Sequence, residues 1–349
     1  MDPTSLMVEP RTSSRVEARV ARGSARNAGR RILITGGAGF LGVNAALHLI
    51  ADGWHATLLD NLNRPGTERN LRWLITQHPT QTTFVKEDVR NAANLVEHVK
   101  NQDAILHLAG QVAVTTSLVD PTADFDINAR GTLNLLEAVR LHNPQAPFLF
   151  ASTNKVYGKL DRNNAACKET QPIDFHSPYG CSKGAADQYV RDYARVFHMN
   201  TVVLRQSCIY GAHQYGTEDQ GWVAHFVHSI LNDRPLTIYG NGTQVRDLLD
   251  AQDLCALYST VFEKIGKARG EIYNVGGGPK NQRNLLEVIE KIGELTNRTP
   301  KYTFADWREG DQTFYVSDIT KARKDLGWEP QVPFDRGLKD LIAWAASVN

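Results

Sequence analysis

The sequence predicts an α/β protein, with a doubly wound parallel sheet of the Rossmann type and a smaller C-terminal α/β lobe. Two observations predict this fold. Short runs of β-branched and aliphatic residues alternate with longer amphipathic stretches between Arg31 and Gln206, and the first run leads through a glycine-rich turn into a helical stretch. Apolar strands separated by helices are typical of a parallel sheet that is covered on both faces.

The predicted elements follow this alternation in order. Strands are expected at residues 31–35, 56–60, 82–86, 104–108, 147–152, 201–206 and 272–275. Helices are expected near residues 40–52, 91–100, 122–142 and 179–198, and again near 284–296 and 335–347. After Gln206, turn-rich pieces interrupt the alternation, which is why a second lobe is expected there. Open α/β sheets bind ligands at the carboxyl ends of their strands, so a cleft is expected between the lobes.

The composition is that of an ordinary soluble globular chain, with 42% hydrophobic and 22% charged residues. The formal net charge is +1, so no overall positive field favours a nucleic-acid partner. No apolar run approaches the roughly 18 residues that a membrane-spanning helix needs, and no membrane partner is expected. The cysteines show no regular spacing, which favours reduced thiols in a cytoplasmic protein. They are Cys167, Cys181, Cys208 and Cys255.

The motif ILITGGAGFLG predicts a binding site for the pyrophosphate of a dinucleotide. Gly36 permits the tight turn after the strand, Gly39 lets a pyrophosphate approach the backbone, and Gly42 lets helix and strand pack closely. The free N–H groups and the dipole at the start of the following helix favour an anion. The neighbouring Phe40 and Leu41 are expected to contact the same cofactor. The spacing is G-x-x-G-x-x-G rather than the G-x-G-x-x-G of classical dehydrogenases.

An acidic residue stands where the adenosine ribose of a dinucleotide would lie. Asp60 ends the second strand, 18 residues after Gly42, where a carboxylate binds both ribose hydroxyls and repels a 2′-phosphate. This favours NAD over NADP, although Arg64 nearby is of the type that accepts a phosphate. Further cofactor contacts are expected after the second, third and fourth strands, from Asn61, Asp88, Val89, Leu108, Ala109, Gly110 and Gln111.

Tyr179 and Lys183, in the stretch SPYGCSKGAADQY, are a candidate pair for redox chemistry. Their spacing of four residues puts both on one face of a helix. A free tyrosine has a pKa of about 10 and is a poor base at neutral pH, but a nearby ammonium and a nicotinamide cation would lower that pKa. The phenolate would then take a proton from a sugar hydroxyl while hydride leaves the same carbon for NAD. The alternative, an amphipathic helix with a surface lysine, is less compatible with the upstream glycine turn.

Together these residues resemble the extended short-chain dehydrogenase/reductase family of nucleotide-sugar epimerases and dehydratases, over nearly all of residues 31–349. The resemblance implies a third catalytic residue at the end of the fifth strand, Thr153, whose hydroxyl binds the reacting sugar oxygen, with Ser152 beside it in the substrate site. It also implies a tightly bound NAD that is regenerated in each turnover. A homo-oligomer, dimer or tetramer, is implied through the helices near 122–142 and 179–198.

The segment STNKVYG argues against elimination of water. The 4,6-dehydratases of the family carry Asp-Glu where this chain has Asn154 and Lys155, and an amide and an ammonium cannot replace both proton transfers. The stretches HLAGQVAVTTS, STNKVYG, DQGWV and GNGTQVRDLL resemble the branch of the family that inverts C2 of a CDP-linked 3,6-dideoxy sugar. The alternatives are a 4-epimerase acting on a UDP- or GDP-hexose, a 2-epimerase acting on another nucleotide sugar, and a non-catalytic regulatory protein that binds NAD.

The resemblance also assigns residues to the nucleotide-sugar substrate. Arg246 and Arg308 match the two diphosphate-binding arginines of the family, and guanidinium forks suit paired phosphate oxygens. Thr115 is expected near the sugar. Cys208 stands where the 4-epimerases have a diphosphate-contacting asparagine, which puts that contact in doubt.

No metal site is expected, because His225 and His228 lack further ligands at suitable spacing. These assignments divide the chain into three parts. Residues 1–30, with six arginines and few large apolar side chains, are expected to form a disordered extension. Residues 31–206, joined by part of 249–275, are expected to form the NAD-binding Rossmann domain, and residues 207–349 the nucleotide-sugar-binding lobe.

Overall fold

The computed structural model describes residues 27–160 and 166–348 of the chain. The predicted disordered extension, residues 1–30, therefore lies outside the described residues except at its end. There the Arg30 guanidinium stacks over the Trp54 ring, 4.3 Å from its centroid. The described chain is thus already in contact with the fold just before the first strand.

Strands and helices alternate along the described residues. In chain order the strands are β1 (Arg31–Thr35), β2 (His55–Asp60), β3 (Thr82–Lys86), β4 (Ala104–His107), β5 (Phe148–Thr153), β6 (Thr201–Gln206), β7 (Cys208–Tyr210), β8 (Leu236–Tyr239), β9 (Val245–Asp250), β10 (Ile272–Val275), β11 (Gln282–Asn284), β12 (Tyr302–Ala305) and β13 (Phe314–Tyr315). The helices are α1 (Phe40–Ala51), α2 (Thr67–Gln77), α3 (Ala92–Val99), α4 (Val114–Val119), α5 (Pro121–Phe125), α6 (Gly131–His142), α7 (Pro178–Val196), α8 (Trp222–Leu231), α9 (Ala251–Glu263), α10 (Ile265–Ala268), α11 (Leu285–Thr296), α12 (Thr320–Leu326) and α13 (Phe334–Val348).

Seven of these strands form one sheet in the order β10-β6-β5-β4-β1-β2-β3. Every neighbouring pair in this sheet is parallel. The chain builds outward from β1 on one side and from β4 on the other, so the direction of winding reverses between these two strands. A crevice opens at the carboxyl ends of strands at such a reversal, and ligands bind there. The predicted doubly wound α/β fold is confirmed.

Both faces of the sheet are covered by apolar side chains, as the alternation along β1 illustrates. Ile32 and Ile34 face one layer, built largely with α1 and α9, whereas Leu33 faces the other, built with α3, α6 and α7. Successive side chains of a strand point to opposite faces, so a continuous apolar run such as RILIT suits a strand that is buried on both sides. This packing fixes the carboxyl ends of the strands at one edge.

A smaller unit surrounds β9. This strand pairs with β11 in antiparallel orientation and with β7 and β13 in parallel orientation, while β8 pairs with β12. Helices α8, α11 and α13 pack over it through a third apolar cluster. The unit thus places Arg246, in β9, beside the carboxyl edge of the large sheet through the β7–β9 ladder.

The predicted helices omit several helices of the structure, among them α2 and α9, and treat one divided stretch as a single helix. Helix α2 was not predicted, because Leu71 and Leu74 are its only buried apolar side chains. The single helix expected near residues 122–142 is divided into α5, a π-helical turn (Asp126–Arg130) and α6. The π-helical turn carries the buried Asn128, whose side chain hydrogen-bonds the backbone of Gln111 in the loop after β4. Within the described ranges, no helix combines the length and apolar character needed to cross a bilayer.

Candidate active site

The glycine turn after β1 forms a close-packed cradle at the start of α1. A Cβ atom on Gly36 would lie 2.8 Å from the Ala109 nitrogen, and one on Gly42 would lie 2.3 Å from the Gly36 oxygen. Gly36 also has a φ of +67°, which glycine adopts without strain. Gly39 precedes α1 and offers no side-chain cap, so the first N–H groups of the helix remain available for an anion.

Asp60 joins this turn to the loop after β2. Its carboxylate is buried and accepts the Ala38 N–H at 3.1 Å and the Leu62 N–H at 2.8 Å. Burial raises its pKa, and these two N–H groups and the Arg64 guanidinium oppose that rise. Arg64 itself donates to the Gln220 side chain at 3.2 Å. A rigidly held carboxylate beside the glycine turn suits recognition of a ribose diol.

Asp88 lies beside the same loop after β3. It accepts two N–H groups of the Arg90 guanidinium, at 2.9 and 2.8 Å, and the Asn61 amide at 2.8 Å. The Arg90 hydrogen bonds hold the pKa of Asp88 well below its usual range. The following Val89 is buried against Gly131. This cluster fixes the far end of the predicted cofactor groove.

The loop after β4 closes the other side of the crevice. The backbone of Leu108 and Ala109 packs against Gly36, and a Cβ on Gly110 would lie 3.8 Å from the Lys183 ammonium. The Gln111 side chain donates to the Ala113 carbonyl and accepts its N–H. The Gln111 side chain therefore braces its own loop, and its contact with the cofactor stays a prediction.

Tyr179, Lys183 and Thr153 meet at the carboxyl end of β5. All three are buried, and the Tyr179 and Thr153 hydroxyls hydrogen-bond each other. The Lys183 ammonium donates to the Ala151 carbonyl at 2.5 Å and lies 4.2 Å from the Phe150 ring centroid. Because α7 begins at Pro178, Tyr179 and Lys183 both lie within the helix, four residues apart and on the same face.

The ionisation of this pair differs from the sequence-based expectation. Burial raises the pKa of Tyr179 to about 12, while the Thr153 hydrogen bond and the Arg64 charge act to lower it. Burial lowers the pKa of Lys183 to about 7, against the charges of Asp187 and Asp124. Lys183 was expected to lower the tyrosine pKa. In this structure its ammonium is directed to the Ala151 carbonyl, so Thr153 and Arg64 have that effect instead.

A buried polar network beneath the pair was not predicted from the sequence. Asp124, in α5, accepts the Ser182 hydroxyl at 2.5 Å and the Gln111 amide at 2.8 Å. Asn128 donates to both Asp124 and Ser182, and its oxygen accepts the Gln111 N–H. These residues come from four separate segments, and no local spacing connects Ser182 or Gln111 with Asp124. The network fixes α7 relative to the loop after β4.

Ser152 belongs to a second buried network rather than to the cleft. Its hydroxyl donates to Asp187 at 2.7 Å, and Asp187 also accepts two N–H groups of Arg205 at 2.9 Å each. Arg205 further donates to the Tyr157 hydroxyl at 2.9 Å. The strand thus places the Ser152 hydroxyl against α7, where it orients the Asp187 carboxylate, and its contact with substrate stays a prediction.

Arg308 is the first residue of a short segment, and Arg246 in β9 contacts the last residue of the same segment. This segment, Arg308–Gln312, is called the arginine loop below. Arg246 is buried, and its guanidinium donates to the Gln312 carbonyl at 2.5 Å. Arg308 forms ion pairs with Glu218 at 3.0 Å and Asp219 at 3.3 Å. The structure thus brings both predicted diphosphate arginines to the same loop.

Cys208 and Thr115, two residues singled out from the sequence, have defined surroundings in the structure. Burial raises the pKa of the Cys208 thiol, which hydrogen-bonds the Trp222 indole and lies near Arg246 and Lys155. The Thr115 hydroxyl is buried without a hydrogen-bond partner among the described residues, so it is available to a polar ligand group. The described part of the chain contains no group of three or more His, Cys, Asp and Glu residues that could hold a metal ion.

A protein-family profile described as GDP-mannose 4,6 dehydratase matches residues 33–341. The protein belongs to the extended short-chain dehydrogenase/reductase family of nucleotide-sugar epimerases and dehydratases. A CDP-paratose 2-epimerase of Salmonella typhi is 42% identical over 340 residues, covering 91% of this chain and 100% of that protein. A dTDP-glucose 4,6-dehydratase of Neisseria meningitidis serogroup B is 33% identical and covers 90% and 93% of the two chains.

A solved structure of the same family supports the fold. The Thermus thermophilus UDP-glucose 4-epimerase, in complex with NAD, superposes with a TM-score of 0.82 at 30% identity, over 91% of this chain and 100% of that chain. Proteins of this family are enzymes that act on nucleotide sugars. Within such a family, the residues that differ between reaction types carry most of the information about the reaction.

Proposed function

We propose that this protein is an NAD-dependent epimerase that inverts C2 of CDP-paratose and forms CDP-tyvelose through a transient 2-keto sugar. One observation carries the proposal: the hydrogen-bonded Tyr179 and Thr153 stand beside Lys183, yet the next two residues are Asn154 and Lys155. The site therefore has the groups for oxidation at a carbinol carbon and lacks the acid pair for elimination. The 42% identity to a CDP-paratose 2-epimerase supports the choice of substrate.

The residues around the crevice fit NAD. Gly39 and the uncapped start of α1 suit the pyrophosphate, and the buried Asp60 suits an unphosphorylated ribose. The small Ala109 and Gly110 leave space over the sheet, and Gly110 adjoins Lys183. Bound NAD supplies a hydride acceptor that returns the same hydride, together with a positively charged ring that favours the tyrosine phenolate.

The side chains of the chain itself provide the proton transfer. Tyr179 takes the proton of the C2 hydroxyl as C2 is oxidised, and it returns a proton when the ketone is reduced on its other face. The Thr153 hydroxyl binds the reacting oxygen and stabilises the phenolate by hydrogen bonding. Burial keeps bulk water away from the keto sugar. Lys183, whose pKa burial lowers to about 7, lies beside Gly110, and its role in this proposal is to bind a ribose hydroxyl of NAD.

Two arginines and one threonine support binding of the nucleotide sugar. Arg246 has no carboxylate partner among the described residues, and Arg308 already binds the anionic oxygens of two carboxylates. Paired guanidinium groups suit a diphosphate. The unpartnered Thr115 hydroxyl suits a sugar hydroxyl, since a buried polar group without a partner is costly.

Exposed apolar side chains support a homo-oligomer. Leu141 at the end of α6, Tyr189 and Val196 in α7, and Phe197 after it are exposed large hydrophobic residues. Clustered exposed apolar groups on neighbouring helices are typical of protein–protein contacts. We propose that a second copy of this chain packs against this helical face.

A time course by proton NMR tests the function. Purified protein is mixed with CDP-paratose without added NAD, and conversion to the 2-epimer is expected, because the cofactor is regenerated in each turnover. Tyr179→Phe, which removes the proton carrier and keeps the ring, is expected to abolish conversion while the NAD content stays unchanged. Unchanged activity in this variant would contradict the catalytic assignment. Conversion of UDP-glucose at C4, without conversion of CDP-paratose, would instead establish a 4-epimerase.

A further inference from the structure

The arginine loop is attached to the end of β5 by two side chains that the proposed chemistry does not use. The Asn154 amide donates to the Gln312 side chain at 3.2 Å, and the Lys155 ammonium donates to the Gly310 carbonyl at 3.1 Å. The Gln312 amide in turn donates to the Gly158 carbonyl at 2.5 Å. These contacts join segments more than 150 residues apart. They connect the strand that carries Thr153 to the loop that carries Arg308.

The same loop also approaches the catalytic helix. Gly310 has a φ of +77°, and a Cβ there would lie 3.1 Å from Val114 and 3.7 Å from Ser177. Ser177 caps α7 by accepting the Gly180 N–H, and Tyr179 is the second residue of that helix. Gly310, whose carbonyl accepts a hydrogen bond from Lys155, thus packs against the residue that caps the helix of Tyr179.

The charge environment of Lys155 is consistent with a role in positioning. Burial and the neighbouring Arg246 lower its pKa to about 8, while Asp311 opposes this effect. At neutral pH the ammonium is therefore largely charged, and a charge-assisted hydrogen bond to a carbonyl is stronger than a neutral one. A neutral side chain of similar length would leave the Gly310 carbonyl without this donor.

The distance between diphosphate and tyrosine determines which carbon reacts. In a nucleotide sugar the diphosphate is attached to C1, so C2 is its direct neighbour, whereas C4 lies across the ring. A site that holds the diphosphate at one place and the phenol at another therefore selects a carbon by their separation. The orientation of reacting groups on this scale has large effects on rate.

We infer that Lys155 is a positioning residue that holds the arginine loop at the separation from Tyr179 that presents C2 rather than C4 of the sugar. The inference rests on the proposed function for the identity of the sugar. It rests on the contacts of Asn154, Lys155 and Gln312 for the attachment of the loop. Lys155 thus determines specificity through the backbone of Gly310, without itself transferring a proton.

The test compares Lys155→Met, which removes the ammonium at similar length, with Lys155→Arg and with the control Lys100→Met. Lys100 pairs with Glu97 at the end of α3, so its variant removes a lysine elsewhere. With CDP-paratose, Lys155→Met is expected to raise KM about tenfold, as for the loss of one charge-assisted hydrogen bond. NMR should also show a C4-inverted product beside the C2 epimer. Lys155→Arg should restore C2 selectivity, because it retains a donor, and the control should match the wild type.

An unchanged KM with only C2 inversion in Lys155→Met would overturn the inference, and so would a lower kcat with no change in product. Hydrogen–deuterium exchange of residues 306–313, measured in the absence of substrate, distinguishes failure of this inference from failure of the proposed function. Faster exchange in Lys155→Met, with wild-type exchange in the control, supports the attachment even if the wild type does not convert CDP-paratose. Equal exchange in all variants overturns it.

Discussion

The buried pair of Asp187 and Arg205 offers a direct measurement of how the sheet supports α7, the helix that carries Tyr179. The carboxylate and the guanidinium are 0% and 3% exposed and share two hydrogen bonds of 2.9 Å. Asp187→Asn removes the negative charge and leaves the arginine cation buried. Breaking a buried pair by removing one partner costs about 3–5 kcal/mol, because the remaining charge is uncompensated. We expect a loss of this size in the free energy of unfolding.

An exposed pair provides the matched control. Lys301 and Asp233 lie 2.8 Å apart, with side chains 59% and 66% exposed. Their distance is thus almost the same as in the buried pair, but water screens both charges. Asp233→Asn is therefore expected to leave the urea midpoint unchanged within error. A urea titration followed by circular dichroism measures both variants, and an Asp187→Asn loss below about 1 kcal/mol would refute the reasoning.

Three further predictions follow from single side chains. Burial raises the pKa of Asp250 to about 6, so its contribution to stability is complete below about pH 4 and is lost as the pH rises through 6. Relative to Asp250→Asn, the wild type should lose about 3 kcal/mol of unfolding free energy between pH 4 and pH 7 in urea titrations. A difference between the two proteins that stays constant with pH would contradict this prediction. Asp60→Asn keeps the size of the side chain but removes its charge, so NAD content after gel filtration should fall about tenfold; full retention would refute the ribose assignment. Leu141→Glu should convert the oligomer to a monomer in light scattering, whereas Ile173→Glu, at another exposed apolar site, should not; a monomeric wild type would contradict the proposed helical interface.

The large sheet could be predicted because its signals are local. The apolar run from Ile32 to Ile34 indicates a strand buried on both faces, and the glycines that follow mark the turn into α1. Tyr179 and Lys183 could be paired because helical spacing alone puts them on one face. In each case neighbours in sequence are also neighbours in space. These parts of the prediction needed no knowledge of the rest of the fold.

The polar networks could not be predicted for the opposite reason. Asp124 meets Ser182 across 58 residues, and Asn154 meets Gln312 across 158, so no periodicity connects them. The hydrogen bond from Ser152 to Asp187 was not predicted, because the sequence gives the position of Ser152 at a strand end but not the direction of its hydroxyl. The expectation that Lys183 lowers the pKa of Tyr179 was also wrong, because its ammonium is buried and directed to the Ala151 carbonyl. Tertiary packing decides each of these points.

The most direct test of the central claim is the NMR time course of CDP-paratose with purified protein and no added NAD. The account predicts conversion to the C2 epimer by the wild type and none by Tyr179→Phe. Such a result would establish C2 inversion and a retained, regenerated cofactor in the same experiment. A protein that contains NAD but leaves CDP-paratose unchanged would contradict the proposed substrate, and the assignment of C2 inversion would have to be given up.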